Sequence, residues 1–201
     1  MVVLFYGTSA ELIKMLGVIQ RIPRSEMLLI CSSQHHNGLK KVHKQLDIYP
    51  DVTLSEGWFG NDVTTIPQMV GMMSGAHLRF ARHIVPLRKK IAAHDAKQKT
   101  KSVAVVHGDT LTTVIGSYMG RLLGLPVAHV EAGLRTHNWR APFPEEIDRR
   151  IAAKFSTLHF PPSEVAEADL RKEKVKGEIV NTRYNTAKDA IEQSFLFVSD
   201  N

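Results

Sequence analysis

The sequence has a single cysteine, Cys31, in 201 residues. That scarcity excludes an internal disulfide framework and any zinc cluster built on cysteines, and it fits a reducing cytoplasm, the expected location. No apolar run approaches the ~18 residues that a membrane helix needs. The opening Met1-Val-Val-Leu-Phe-Tyr6 has no basic leader region and no small-residue cleavage site, so it reads as a buried strand and not as a secretory signal. Aromatic residues are few, at 7%. None interleaves with the densest basic stretches, Arg88-Lys89-Lys90, Lys97 to Lys101 and Arg171 to Lys176, the last interrupted by Glu173. A nucleic-acid groove stacks bases on aromatics, so none is expected, and these runs read as solvated helix faces or loops. Neither Gly-x-Gly-x-x-Gly nor the Lys-Ser/Thr ending of a P-loop follows the first strand, where Gly7-Thr8-Ser9 stands instead. His35 and His36 are adjacent, which is poor spacing for joint metal ligation, so no metal site is expected.

What remains is a basic chain, +6 with histidine neutral, and a 43% hydrophobic fraction that can build a core. Short apolar runs alternate with stretches of helical spacing. The expected strands are Val2 to Tyr6, Met27 to Cys31, an edge piece at Val52 to Leu54, Val103 to Val106, Val127 to Val130, Thr157 to Phe160 and Gly177 to Val180. Helices are expected from Leu12 to Gln20, Leu39 to Leu46, Thr64 to about His94 with a break near Gly71 to Gly75, Leu111 to Leu123, Glu145 to Phe155, Ser163 to Arg171 and Ala187 to Phe197. Gly57 to Asp62 reads as a loop. Uniformly apolar strands between helices indicate an α/β domain, doubly wound, with a mostly parallel sheet flanked by helices.

In such a sheet ligands bind beyond the carboxyl ends of the strands, where strand order reverses. Four expected strand ends carry polar groups: Gly7-Thr8-Ser9, Gln34-His35-His36, Gly108-Asp109-Thr110 and Glu131-Ala132-Gly133. Glu145 opens a helix, where the helix dipole favours a carboxylate. Each acid also has a plainer reading. Asp109 could be only a helix N-cap. Glu145 and Glu146 could be first-turn charges. Glu131 continues a buried strand and needs a partner, which Arg135 or Arg149 could supply as a structural ion pair. Met69, Met72 and Met73 read as core fillers and Cys31 as a buried strand residue.

Three blocks occur in order and close together: Val106-His107-Gly108-Asp109-Thr110-Leu111-Thr112-Thr113, His129-Val130-Glu131-Ala132-Gly133-Leu134-Arg135-Thr136 and Pro142-Phe143-Pro144-Glu145-Glu146-Ile147-Asp148-Arg149. With Tyr6-Gly7-Thr8, Glu11 to Met15 and Gln34-His35, they make the chain resemble the non-hydrolysing UDP-N-acetylglucosamine 2-epimerase family over essentially its whole length. The resemblance implies the N-terminal half of a glycosyltransferase-B fold. Residues 1–185 would form the Rossmann-like domain, and 186–201 a terminal helix or the start of an interdomain connection. The UDP-binding domain, with its Gly-His-Arg histidine, would be absent from these residues. It also implies interconversion of UDP-GlcNAc and UDP-ManNAc by elimination and re-addition of UDP, with no cofactor and no metal, in the service of cell-envelope polysaccharides. Asp109, Glu131 and Glu145 would be the catalytic carboxylates. Lys14, Arg135 and Arg149 would meet the diphosphate. Some relatives hold a second UDP-GlcNAc on a Gln-His pair, which brings Gln34 and His35 among the binding candidates. A homodimer is compatible with the family; nucleic-acid and membrane partners are not expected.

The sequence departs from the family pattern at named places. Ser9 stands where the family has arginine, and Asp148 where it has asparagine. Three readings therefore stay open: the catalytic half of an epimerase that is inactive without its second domain; half of another enzyme of this fold, such as a hydrolysing epimerase; or a non-catalytic module that binds nucleotide sugars.

Overall fold

The computed structural model describes residues 1–56, 60–138 and 140–190. Its centre is a parallel sheet of seven strands in the order β3-β2-β1-β4-β5-β6-β7. The strands are β1 (Val2–Tyr6), β2 (Met27–Cys31), β3 (Val52–Thr53), β4 (Val103–His107), β5 (Val127–Val130), β6 (Leu158–Phe160) and β7 (Glu178–Ile179). The helices are α1 (Ser9–Lys14), α2 (Leu16–Arg21), α3 (His36–Leu46), α4 (Ile66–Gln98), α5 (Leu111–Leu122), α6 (Glu145–Phe155) and α7 (Glu164–Lys172).

Period-two alternation splits the strands between two cores. Val3, Phe5, Leu28, Ile30, Ala104 and Val106 pack against Met72, Ala76, Phe80, Leu87 and Ile91 of α4 and Ile115 and Met119 of α5. Leu4, Tyr6, Leu29, Cys31, Val105 and Ala128 face the other way, onto Leu12, Met15, Ile19 and Leu39. Both faces are covered, which is why the central strands are apolar throughout. The chain first winds outward from β1 to β3, then crosses back through α4 to place β4 on the other side of β1. Strand order therefore reverses between β1 and β4, and the crevice at their carboxyl ends is the place for a ligand.

Two expected helices change. The stretch expected from Leu12 to Gln20 is two short helices that meet at Met15. The expected break near Gly71 to Gly75 does not occur, and α4 runs unbroken for 33 residues. Two helical glycines cost about 2 kcal/mol together, which the burial of Met72, Ala76 and Phe80 around them offsets. Helix α3 starts three residues early, at His36. The expected methionine fillers and the buried Cys31 are found as read. The basic runs lie on exposed positions. The helix expected over Ala187 to Phe197 falls largely outside the described residues, as do residues 57–59 of the expected loop. Among the described residues no helix is long and apolar enough to cross a membrane.

Candidate active site

The end of β1 is built around Glu11. Thr8 caps α1 and Glu11 closes the capping box, the Thr-x-x-Glu pattern that pairs orphan amides at a helix start. Glu11 Oε2 accepts the backbone N–H groups of Gly7 and Thr8, both at 2.8 Å, and Oε1 accepts the Thr110 hydroxyl at 2.6 Å. One buried carboxylate thus fastens the first strand-to-helix turn to the turn after β4. Beside it the Ser32 and Thr112 hydroxyls bond at 2.7 Å, and Thr112 also donates to Gln34 Oε1 at 3.2 Å. A Cβ at Gly7 would lie 2.0 Å from both hydroxyl oxygens, so only glycine lets the turn pass.

Glu131 follows β5 with a left-handed φ of 59°, an unusual conformation for a residue with a side chain. Its carboxylate is buried and meets three partners. Lys14 Nζ stands 3.0 Å from Oε2, the Thr186 hydroxyl donates to Oε1 at 3.0 Å, and His107 Nε2 is 3.4 Å from Oε1. Burial works against the charge, but the hydrogen bonds and charges of His107 and Lys14 outweigh it and hold Glu131 down at about 2. Neither Arg135 nor Arg149 supplies the partner expected for Glu131. Arg135 is fully enclosed and forks onto Glu173, with Nε and Nη2 at 2.9 and 2.7 Å. That enclosure leaves its guanidinium no face for a diphosphate in this structure.

Arg149 goes instead to Asp109, with Nε 3.0 Å from Oδ2, and to Glu146 Oε2 at 3.5 Å. The cap reading of Asp109 fails, because the N-cap of α5 is Thr110, whose side chain accepts from Thr113 N. Asp109 sits one residue outside the helix with its carboxylate one-third exposed. The two glutamates that open α6 differ. Glu146 is 0% exposed and bonds to Arg150, to the Thr136 N–H and to Arg149, so it is a buried tie and not a surface charge. Glu145 is half-buried, and its Oε2 is enclosed without a hydrogen-bond partner. Asp148 lies one turn further along, nearly buried. Burial first, and then the charges of Glu145 and Asp109, push its carboxyl up to about 7.

The site residues therefore gather as two groups. Lys14, His107, Glu131 and Thr186 form one, and Asp109, Glu145, Asp148 and Arg149 the other. The strand ends that carry Asp109 and Glu131 are joined by the bond from Gly108 N to Val130 O at 2.9 Å, so both groups lie at the same end of the sheet. Gln34 is buried in the wall there, and His35 is exposed as the residue before α3. A cavity of about 430 Å³ lies next to them, lined by Ser33, His36, Lys40 and His43 among others. A larger one of about 670 Å³ lies between α6 and residues 173–176, and neither cavity is lined by the acids. The acids are candidates on their chemistry and not on cavity volume. Among the described residues no cluster of ligands suits a metal ion.

Sequence reasoning missed His107, Thr186 and Glu11 as partners in the site, and the upward push on the Asp148 carboxyl. Thr8-x-x-Glu11 was available as a capping-box pattern, and His107 precedes Gly108-Asp109 directly. Thr186 reaches Glu131 only through the chain's return across the strand ends, which no local pattern announces.

A doubly wound α/β domain with acids gathered at the carboxyl end of its sheet belongs to the class of open parallel-sheet domains, in which ligands sit at the switch point. The comparisons with known proteins narrow it. The family model described as UDP-N-acetylglucosamine 2-epimerase matches residues 18–200. The UDP-N-acetylglucosamine 2-epimerase of Bacillus subtilis is 31% identical over 189 residues, which is 92% of this chain and 45% of that protein. The crystal structure of UDP-GlcNAc 2-epimerase from Neisseria meningitidis bound to UDP-GlcNAc matches with a TM-score of 0.72 and 28% identity, over 98% of this chain and 50% of that one. The Methanocaldococcus jannaschii enzyme in complex with UDP-GlcNAc and UDP gives 0.70 and 28%, over 100% and 50%. The chain belongs to the UDP-N-acetylglucosamine 2-epimerase family, and its fold is that of the glycosyltransferase-B-like enzymes it matches. It spans about half the length of the relatives it matches.

Proposed function

We propose that the chain supplies the carboxylate-bearing half of an enzyme that interconverts UDP-GlcNAc and UDP-ManNAc, with residues 1–185 as its domain and a second half providing most of the UDP contacts. The observation that carries this is the division of the acids into unlike environments at one sheet end. Glu131 is held ionised by Lys14 and His107, whereas Glu145 and Asp148 stand together with no cation of their own.

The proton at C2 of the sugar is not next to a carbonyl, so direct removal is difficult. Elimination avoids this. A base takes the C2 proton while the C1–O bond to UDP breaks, which leaves 2-acetamidoglucal and UDP. Re-addition then delivers a proton to the other face of C2 as a phosphate oxygen of UDP returns to C1. A base works best with a pKa near the working pH. Glu131, at about 2, is too weak a base for this proton and suits stabilisation of positive charge developing at C1. Glu145 Oε2, enclosed and unpartnered, and Asp109, with Oδ2 on Arg149 and its other oxygen free of that bond, suit the proton transfers on the two faces. Lys14 and Arg149 are then the cations nearest the leaving diphosphate. Gln34 and His35 border the same end of the sheet and would meet the nucleotide or a second one.

The 201 residues alone should give no UDP-ManNAc from UDP-GlcNAc in an NMR assay, and the same chain joined to a UDP-binding half should give it. Turnover by the 201 residues alone would overturn the division of labour. Release of free ManNAc by the joined protein would assign it to hydrolysis instead.

A further inference from the structure

Asp148 lies on α6 beside other acids, and its surroundings explain how a carboxyl can stand there. It is 6% exposed, and among the described residues its carboxyl makes no hydrogen bond or ion pair. Glu145 lies three residues earlier on α6, so the two side chains are neighbours on one helix face. Glu145 Oε2 is itself enclosed and unpartnered. From the connection between β4 and α5 comes Asp109, and the cation adjacent in sequence, Arg149, is spent on Asp109 and Glu146. Helix α5 packs along α6, and its ionisable groups are Tyr118, whose ring meets Phe155 at the far end of α6, and Arg121 in its last turn. Strand β5 contributes His129, bonded to Gly108 O at 2.7 Å. Among the described residues no cation on these elements pairs with the Asp148 carboxyl.

We propose that Asp148 serves this site as a neutral carboxylic acid, a positioning residue that keeps a further negative charge out of the group formed with Glu145 and Asp109. Carboxyls crowded in a dry place do not all ionise, and the most buried and least paired keeps its proton. In that form Asp148 presents an O–H donor beside a carbonyl acceptor, much as the side-chain amide of asparagine sets its NH2 donors beside its carbonyl. Unlike asparagine, it can lose the proton. Near pH 7, where burial and its two acidic neighbours have pushed it, a third negative charge enters the site and opposes an anionic diphosphate. The protonation itself is a property of this chain; its effect on turnover rests on the epimerase reading.

The test has two readouts. Carboxyl carbon NMR of this chain, with Asp148→Asn used to assign the signal, should show Asp148 titrating near pH 7 and Glu145→Gln moving that midpoint down. A midpoint in the ordinary aspartate range near 4, or one indifferent to Glu145→Gln, overturns the proposal whether or not the protein is an epimerase. In the protein joined to a UDP-binding half, the fall of kcat/KM above pH 7 should move up by at least about one unit in Asp148→Asn, because an amide cannot ionise. An unchanged alkaline limb overturns the positioning role. Absence of epimerisation in every protein would sink the functional reading and leave the NMR result to decide the protonation.

Discussion

Replacing Glu131 by glutamine removes a charge that the fold is built to hold. The carboxylate is lowered from 4.5 to about 2 in the folded protein, with burial opposing and His107 and Lys14 prevailing. At ~1.36 kcal/mol per unit that difference corresponds to about 3 kcal/mol. Lys14 is one-third exposed, so solvent screens part of the pair and about 2 kcal/mol is the better expectation. Glutamine can still accept from Thr186, which confines the loss largely to the charge. The sign of the pH dependence follows from the depressed value: the contribution is full above the unfolded pKa of 4.5 and lost as pH falls toward 2. Urea unfolding followed by circular dichroism should therefore show a wild-type advantage of about 2 kcal/mol at pH 7, shrinking to roughly half by pH 3.5. An advantage below about 0.5 kcal/mol at pH 7, or one equal at both pH values, would refute the ion-paired account of Glu131.

Thr110→Ala should cost about 1 kcal/mol of stability because it removes the true cap of α5. Asp109→Asn should lower the turnover of the joined protein by ~10² or more and weaken the Arg149 pair, whereas a cap-only residue would lose neither stability nor turnover, because asparagine caps about as well as aspartate. Gly116→Ala should destabilise by about 1–3 kcal/mol, since its Cβ would lie 2.6 Å from Phe5 Cβ and 2.9 Å from a Val106 methyl; thermal unfolding measures it. Glu146→Gln should cost about 3 kcal/mol by leaving Arg150 and Arg149 short of their buried partner, read as a drop in the urea midpoint.

The strands were legible because burial on both faces writes itself as uninterrupted apolar runs, and every run read as a strand is one in the sheet. Helices were legible where their spacing was regular. The break expected at Gly71 to Gly75 failed because local propensity was weighed without the core that Met72 and Phe80 enter. The positions of Asp109, Glu131 and Glu145 at strand and helix ends could be read along the chain, but not who holds them. Arg135 and Arg149 are close to Glu131 in sequence, yet Lys14, 117 residues away, makes the bond. Which acid is a tie and which is left unpaired depends on burial that adjacent residues do not share: Glu146 is fully enclosed among arginines and its neighbour Glu145 is not.

The central claim is that these acids move a proton at C2 of a UDP-sugar, and solvent deuterium reports that step directly. UDP-GlcNAc incubated in D2O with the chain joined to a UDP-binding half should yield UDP-ManNAc carrying deuterium at C2, seen by NMR as loss of the C2 proton signal. Asp109→Asn, Glu131→Gln and Glu145→Gln should each slow that exchange by ~10² or more while the protein stays folded. UDP-ManNAc that keeps its C2 proton, or exchange at full rate in all three variants, would contradict the account.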